Sequence, residues 1–122
     1  MIAELDPQPT IVIFRRFRGK YSCVIALFPE LPSDLYGYRC ESYMHVGQHS
    51  AADYELTVEI TRPVPDPRQR PDQETRELMT ELRSLGYRLE PRQRCTPAMR
   101  RARTDEAKRI RNYHSTHTGR SV

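Results

Sequence analysis

Residues 11–28 read IVIFRRFRGKYSCVIALF, and this stretch decides the fold class. Residues 11–17 are rich in β-branched and aromatic side chains, which favours a first strand. Residues 21–28 contain the apolar run CVIALF, which is typical of a central strand buried on both faces. Gly19 and Lys20 lie between them, and glycine at the first central position predicts a two-residue type II′ turn. The sequence therefore predicts a β-hairpin.

A third strand is predicted over residues 38–46, because polar and apolar side chains alternate there. The face that we expect toward the core consists of Cys40, Ser42, Met44 and Val46. The face that we expect outward consists of Arg39, Glu41, Tyr43 and His45. Prolines and turn residues predict a loop over residues 29–34, and the segment 47–50 ends the strand.

The second half of the domain contains the clearest helix. Asp72 is a suitable N-cap, leucines follow at positions 78, 82 and 85, and Gly86 is placed to end the helix. Residues 87–90 read as a short strand, which Pro91 restricts to an edge or an end. Residues 62–71 hold four prolines and predict a linker. Residues 51–61 fit a strand or a helix, and the β-branched side chains favour the strand slightly.

These elements predict an α+β fold: an antiparallel sheet of three to five strands with one helix packed across it, plus a basic C-terminal helix. The chain divides into an N-terminal extension at 1–10, the α+β domain at 11–94 and an arginine-rich helix and tail at 95–122. Thr96 and Pro97 start the last helix, predicted over 97–113. Its apolar stripe is thin, so we expect it to dock weakly or to order on binding.

Charge is divided unevenly along the 122 residues. Residues 1–85 carry a net charge of −3, whereas residues 86–122 carry +7. Eighteen of the 20 basic residues are arginine, which grips phosphate bidentately and stacks on bases. A GC-rich genome would produce the same arginine bias without any function, so both explanations stay open. The basic segment predicts a polyanion or an acidic protein surface as partner.

The three cysteines, Cys23, Cys40 and Cys95, form no CxxC pair. The N-terminus lacks the pattern of a signal peptide, and no apolar run is long enough to span a membrane. We therefore expect free thiols and a cytoplasmic location without a membrane partner.

The histidines supply one candidate for catalysis. His45, His49 and Asp53 are spaced by four residues, so a small hydrolase or nuclease, possibly assisted by a metal, is one alternative. Gly47 interrupts any helix that would align them, and Cys40 lies on the opposite strand face from His45. We therefore assign no metal ligands and expect no cofactor. The sequence contains no P-loop, GxGxxG, GxSxG or paired-carboxylate motif.

Two sets of residues are candidates for binding. The first, on and after the third strand, consists of Arg39, Tyr43, His45, Gln48 and His49. The second, in the tail, consists of Arg92, Arg94, Arg100, Arg101, Arg103, Lys108, Arg109 and Arg111. Aromatic and arginine side chains can stack on bases, and a basic helix can contact phosphates.

Four segments resemble a group of small uncharacterised proteins from phages, plasmids and integrative elements. They read VIALFP at 24–29, SYMHVGQH at 42–49, ADY at 52–54, and EL with GYRL at 81–82 and 86–89. The resemblance covers about residues 11–94 and brings no known activity. It implies a mobile-element setting, where small basic proteins act as accessory, anti-defence or nucleic-acid-binding factors. Our leading hypothesis is a non-enzymatic protein that binds nucleic acid or a host nucleoprotein, of undetermined oligomeric state.

Overall fold

A computed structural model of the chain describes residues 8–19, 23–44 and 48–117. The α+β class is confirmed, with six strands and three helices in this part of the chain. In order they are β1 (Thr10–Phe17), β2 (Val24–Pro32), β3 (Cys40–Met44), β4 (Gln48–Ala52), α1 (Tyr54–Glu59), β5 (Thr61–Pro63), α2 (Gln73–Ser84), β6 (Leu89–Pro91) and α3 (Pro97–His117).

The strands form one sheet in the order β4-β3-β2-β1-β5, with β6 also paired to β1. All pairs along the main order are antiparallel, whereas β6 runs parallel to the first residues of β1. β5 and β6 therefore share the side of β1 that faces away from β2. Within the described residues, β4 ends the sheet on the opposite side.

The β1–β2 hairpin is present, but its register differs from the prediction. A two-residue turn at Gly19 and Lys20 would pair Arg16 with Cys23. Arg16 instead lies opposite Val24, which requires a longer connection. Gly19 does have a positive φ of 102°, while Lys20 lies outside the described residues.

β2 is longer than the sequence predicted, since it continues through Pro29 to Pro32. The loop predicted for residues 29–34 is therefore wrong over its first four positions. Proline is tolerated where the hydrogen-bond ladder is interrupted. The register between β2 and β3 shifts between Phe28 and Pro32, and this irregularity accommodates the prolines.

The central strand is buried on both faces, as predicted. On one face Val24, Ala26 and Phe28 join a core that includes Leu78, Met79 and Leu82 of α2. On the other face Ile25 and Leu27 join a second core. Its remaining buried members are Ile13, Cys40, Ala52 and Tyr54.

The prediction that Tyr43 lies on an outward face of β3 is wrong. Tyr43 is only 3% exposed and belongs to the α2-side core. Its hydroxyl donates to Glu81 of α2, which satisfies the polar atom. The sheet is covered on both faces, so side chains that alternate along β3 point in turn into one hydrophobic core and into the other. The alternation therefore does not separate a core face from a solvent face.

Residues 48–61 also differ from the prediction. The segment expected to end the third strand begins β4, which pairs back onto β3. The segment 51–61, which fitted a strand or a helix with a slight preference for the strand, is chiefly the helix α1, capped by Asp53 through the Leu56 backbone N–H at 3.0 Å. Only Ala51, Ala52 and Thr61 lie in strands. The local cap outweighs the β-branched content of this segment.

α2 has the predicted ends. The Asp72 carboxylate accepts from the Thr75 backbone N–H at 2.9 Å, and Gly86 has a φ of 102°. Leu85 was predicted to share the apolar face of the helix with Leu78 and Leu82. It instead follows the last helical turn and is exposed. How α2 crosses the sheet stays a prediction.

α3 extends to His117 and packs along β2. Met99 and Ala107 are buried, and Thr96 caps the helix by accepting from the Met99 backbone N–H at 3.2 Å. Among the described helices, none is both long and apolar enough to cross a membrane.

Candidate binding surface

An exposed aromatic group lies between β2 and β3. We call residues 33–39 the tyrosine loop. Three large side chains project from it into solvent: Leu35 at 66%, Tyr36 at 53% and Tyr38 at 75% exposure. The two tyrosine rings stack with their centroids 6.0 Å apart. Contiguous exposed apolar groups of this kind mark binding surfaces more often than single exposed residues do.

Short hydrogen bonds hold the tyrosine loop closed at its base. The Asp34 carboxylate accepts from the Arg39 backbone N–H at 2.9 Å, and the Ser33 N–H donates to the Arg39 carbonyl at 2.9 Å. Gly37 lies at the turn with a φ of 77°, a conformation that favours glycine. The rigid base leaves the tyrosines projecting from a fixed support.

Gly37 also lies directly against α3. A Cβ atom at this position would be 3.1 Å from the Arg103 carbonyl oxygen and 3.2 Å from the Thr104 Cα. These distances are shorter than most Cβ contacts, so a side chain here would require the helix backbone to shift slightly. Glycine is therefore needed both for the turn and for the approach of the helix.

The Arg103 side chain links α3 to the tyrosine loop and to β2 by hydrogen bonds. Its Nε donates to the Gly37 carbonyl at 2.9 Å, and its Nη1 donates to the Pro29 carbonyl at 3.2 Å. The side chain is buried, with 5% exposure. Arg103 was expected on the outer surface of the tail, but these contacts make it structural.

Arg111 joins the tyrosine loop to the next turns of α3. Its guanidinium carbon lies 4.6 Å from the centre of the Tyr36 ring, and its Nη1 donates to the Leu35 carbonyl. An open cleft of about 380 Å³ separates this part of the loop from the helix. Its lining is Pro32, Ser33, Asp34, Leu35, Glu41, Ala107, Ile110 and Arg111.

Other basic residues of the tail are at the surface, and several form ion pairs. Arg100 pairs with Glu55 at 3.2 Å, Arg109 pairs with Glu106 at 2.6 Å, and Arg92 pairs with Glu90. The hydrogen bond from Arg109 lowers the pKa of Glu106. The side chains that are exposed and have no ion pair with another described residue are Arg94, Arg101 and Lys108.

The fold separates the members of the first candidate set, on and after the third strand. Arg39 is exposed at the end of the tyrosine loop, whereas Tyr43 points into the core. His49 lies opposite Tyr43 on β4, with the ring centroids 4.7 Å apart. Gln48 begins β4, and His45 lies outside the described residues.

His49 takes part in a cluster of aromatic residues. Its Nε2 is 3.2 Å from the Tyr87 hydroxyl, and the Tyr87 ring stacks on Phe28 at 5.1 Å. The hydrogen bond to Glu81 raises the pKa of Tyr43, and burial raises the pKa of Tyr87. Both hydroxyls therefore stay protonated near neutral pH and are poor nucleophiles.

His49 and Asp53 occupy different local environments in the structure. Four residues of an extended chain span roughly 13 Å, and the Asp53 carboxylate is engaged as the cap of α1. No three metal-ligating side chains come together within residues 8–19, 23–44 and 48–117.

Leu35, Tyr36 and Tyr38 were missed as site residues by sequence reasoning. The sequence LYGY at 35–38 carried a usable signal, because two aromatic residues flank a glycine beside a proline-rich segment. Their proximity to α3 depends on a contact across more than 60 residues, which no local pattern reveals.

Comparison of the chain with protein-family models, curated proteins and solved structures gives no match. The function is therefore inferred from the chemistry of the surfaces.

Proposed function

We propose that this protein binds single-stranded nucleic acid through the tyrosine loop and the neighbouring basic surface of α3. The observation that supports this proposal is the position of two exposed, stacked tyrosines beside Arg111 and Arg39. Bases stack on aromatic rings irrespective of sequence, and each stacked base contributes about 1–3 kcal/mol. Arginine next to the rings supplies a phosphate contact or a second stacking plane.

The exposed cations of α3 provide phosphate contacts. Arg101 and Lys108 are seven residues apart, which places them on one face about 10 Å apart along the axis. Arg100 and Arg109 are also exposed, and surface ion pairs contribute little energy. Phosphate can therefore replace Glu55 or Glu106 as their partner at small cost.

Two acidic residues near the loop, Asp34 and Glu41, could repel phosphate, but their positions limit this repulsion. The Asp34 carboxylate turns back to the Arg39 N–H, and Glu41 lies in the cleft beneath the loop and not at its tip. A nucleoprotein whose RNA or DNA is accessible would suit the same surface. The proposal includes a mobile-element origin, with an accessory or anti-defence role. Only the resemblance to small phage, plasmid and integrative-element proteins supports that part.

The contacts of His49 and Asp53 do not favour the alternative function of a hydrolase or nuclease. Within the described residues the His49 ring contacts the rings of Tyr43 and Tyr87, and Asp53 caps α1. Among the described residues, neither arrangement belongs to a group of three metal-ligating side chains.

The test measures fluorescence anisotropy of a labelled mixed-sequence 20-nucleotide strand, at low and moderate salt. We expect Tyr36→Ala with Tyr38→Ala to weaken binding at least tenfold, and Arg101→Glu with Lys108→Glu to weaken binding and to flatten its salt dependence. The matched controls are Leu85→Ala, an exposed apolar residue elsewhere, and Arg83→Glu on α2. We expect the same strand in a duplex to bind more weakly.

Two results would overturn the proposal. One is the absence of salt-sensitive binding by the complete chain. The other is equal affinity of the double tyrosine variant and the Leu85→Ala control, which would assign any binding to charge alone.

A further inference from the structure

The two edges of the sheet differ in how they are protected against another strand. On the β5 and β6 side the terminal strands are three residues long and contain Pro63 and Pro91, with arginine next to each proline. Short strands, prolines and charges are the usual devices that prevent edge pairing. That edge is therefore closed to strand addition.

The β4 edge has none of these devices. Its five residues, Gln48 to Ala52, include no lysine, arginine, aspartate, glutamate or proline, and their register with β3 has no irregularity. The side chains of His49, Ser50 and Ala51 are exposed. No other strand in the described chain pairs with the outer side of β4.

The register shows which backbone groups point away from the sheet. Ser50 lies opposite Ser42, and the Ser42 hydroxyl donates to the Ser50 carbonyl at 3.0 Å. This contact requires the Ser50 carbonyl to face β3. Because backbone direction alternates along a strand, the N–H and C=O groups of His49 and Ala51 face outward.

We propose that β4 pairs with β4 of a second copy of this chain, antiparallel and centred on Ser50. A twofold axis places identical strands antiparallel, as this pairing needs. His49 then lies opposite the partner's Ala51, and Ala51 opposite the partner's His49, which forms four backbone hydrogen bonds. The pairing satisfies every outward backbone group at the centre of the strand.

A second copy fits this edge better than a strand of another protein for two reasons. β4 contains no lysine, arginine, aspartate or glutamate that would oppose its own copy, and the Ser50 side chain is small enough to face the partner's Ser50 at the axis without a clash. The exposed Leu85 also lines a cleft of about 300 Å³ with His49, next to the strand. Apolar surface is therefore available for burial beside the paired backbones.

The test uses the complete chain in sedimentation velocity from micromolar to several hundred micromolar concentration. In the proposed pairing the two Ser50 side chains are directly opposite each other, so like charges introduced there repel. We expect the Ser50→Lys chain and the Ser50→Glu chain each to dimerise at least tenfold more weakly than the unaltered chain. An equimolar mixture of the two should form heterodimers with the affinity restored.

Ser50 is exposed, so unchanged circular dichroism and unfolding temperature serve as the folding control for both variants. The matched control variant is Thr104→Lys, an exposed position on α3, which should leave dimerisation unchanged. An unaltered chain that stays monomeric over the whole range overturns the proposal. So does a dimer that either Ser50 variant leaves intact, or a mixture that does not recover. Binding of nucleic acid is independent of each of these outcomes.

Discussion

At the scale of single residues, burial determines what arginine and cysteine contribute. Arg103 has the same charge as Arg101 two positions earlier, yet it is buried and binds two backbone carbonyls. Hydrogen bonds from a charged donor contribute about 1.5–3 kcal/mol to stability. Cys40 is buried in the second core, where its thiol is shielded from solvent.

The Cys40 thiol predicts a loss of stability at alkaline pH. Burial raises its pKa from 9.0 to about 11. The unfolded chain then releases this proton at lower pH than the folded chain, so stability is complete below pH 9 and falls as the pH rises through 11. Two pKa units correspond to a decrease of about 3 kcal/mol in the free energy of unfolding.

The measurement is urea denaturation between pH 8 and pH 11.5. Cys40→Ala should make this pH dependence shallower, leaving the contributions of Tyr43, Tyr54, Tyr87 and Cys95, whose pKa values are also raised. An identical slope in the two proteins would contradict the assignment.

At the scale of elements, the tyrosine loop and α3 form one unit. Gly37 contacts the backbone of the helix, Arg103 reaches back to Gly37 and Pro29, and Arg111 covers the Tyr36 ring. The contacts of Gly37 and Arg103 hold the turn of the loop against the helix. The contact of Arg111 positions the Tyr36 ring. The loop geometry therefore depends on the helix as much as on its own turn.

Two glycine substitutions separate backbone strain from this contact. Gly37→Ala and Gly86→Ala both place a side chain at positive φ, but only Gly37 has helix atoms within 4 Å. We expect both to lose about 1–2 kcal/mol through strain. Gly37→Ala should lose about 1–3 kcal/mol more, because α3 has to move.

Chemical denaturation measures both losses, and limited proteolysis within α3 reports displacement of the helix. Equal losses with an equally protected helix would show that the close approach contributes nothing.

The comparison with the sequence is clearest for these elements. The hairpin, the two ends of α2 and the start of α3 follow from local signals, namely apolar runs, caps and glycine, and these were predicted. Tyr43 was misplaced because a second core on the other side of the sheet cannot be read from alternation within one strand. Arg103 was misplaced for a similar reason, since its acceptors Gly37 and Pro29 are distant in sequence.

At the scale of the whole molecule, the sheet has a separate core on each face. One includes α2, and the other includes Tyr54 of α1 together with the partly buried Cys95, just before α3. α3 packs against β2, and its residues Met99 and Ala107 are buried. The basic helix is thus part of the folded body and not an appendage.

A truncated chain tests this conclusion. Ending the chain after Arg94 removes Arg103 and uncovers β2, so we expect loss of cooperative unfolding and binding of an apolar dye. The control is Arg101→Ala in the complete chain, an exposed position on α3, which should leave the unfolding transition unchanged. Calorimetry makes the comparison, and a cooperative transition in the shorter chain would show that residues 1–94 fold alone. Truncation is for the same reason a poor way to study binding by the tail.

The tyrosine loop has a consequence for protein engineering. Its conformation depends on the backbone contacts of Gly37, Asp34 and Arg103, while Leu35, Tyr36 and Tyr38 project without filling a core. Replacing those three side chains therefore alters the outer chemistry at little expense in stability. The loop is a site where randomised libraries can be displayed on an unchanged framework, and new recognition properties can be selected from three positions alone.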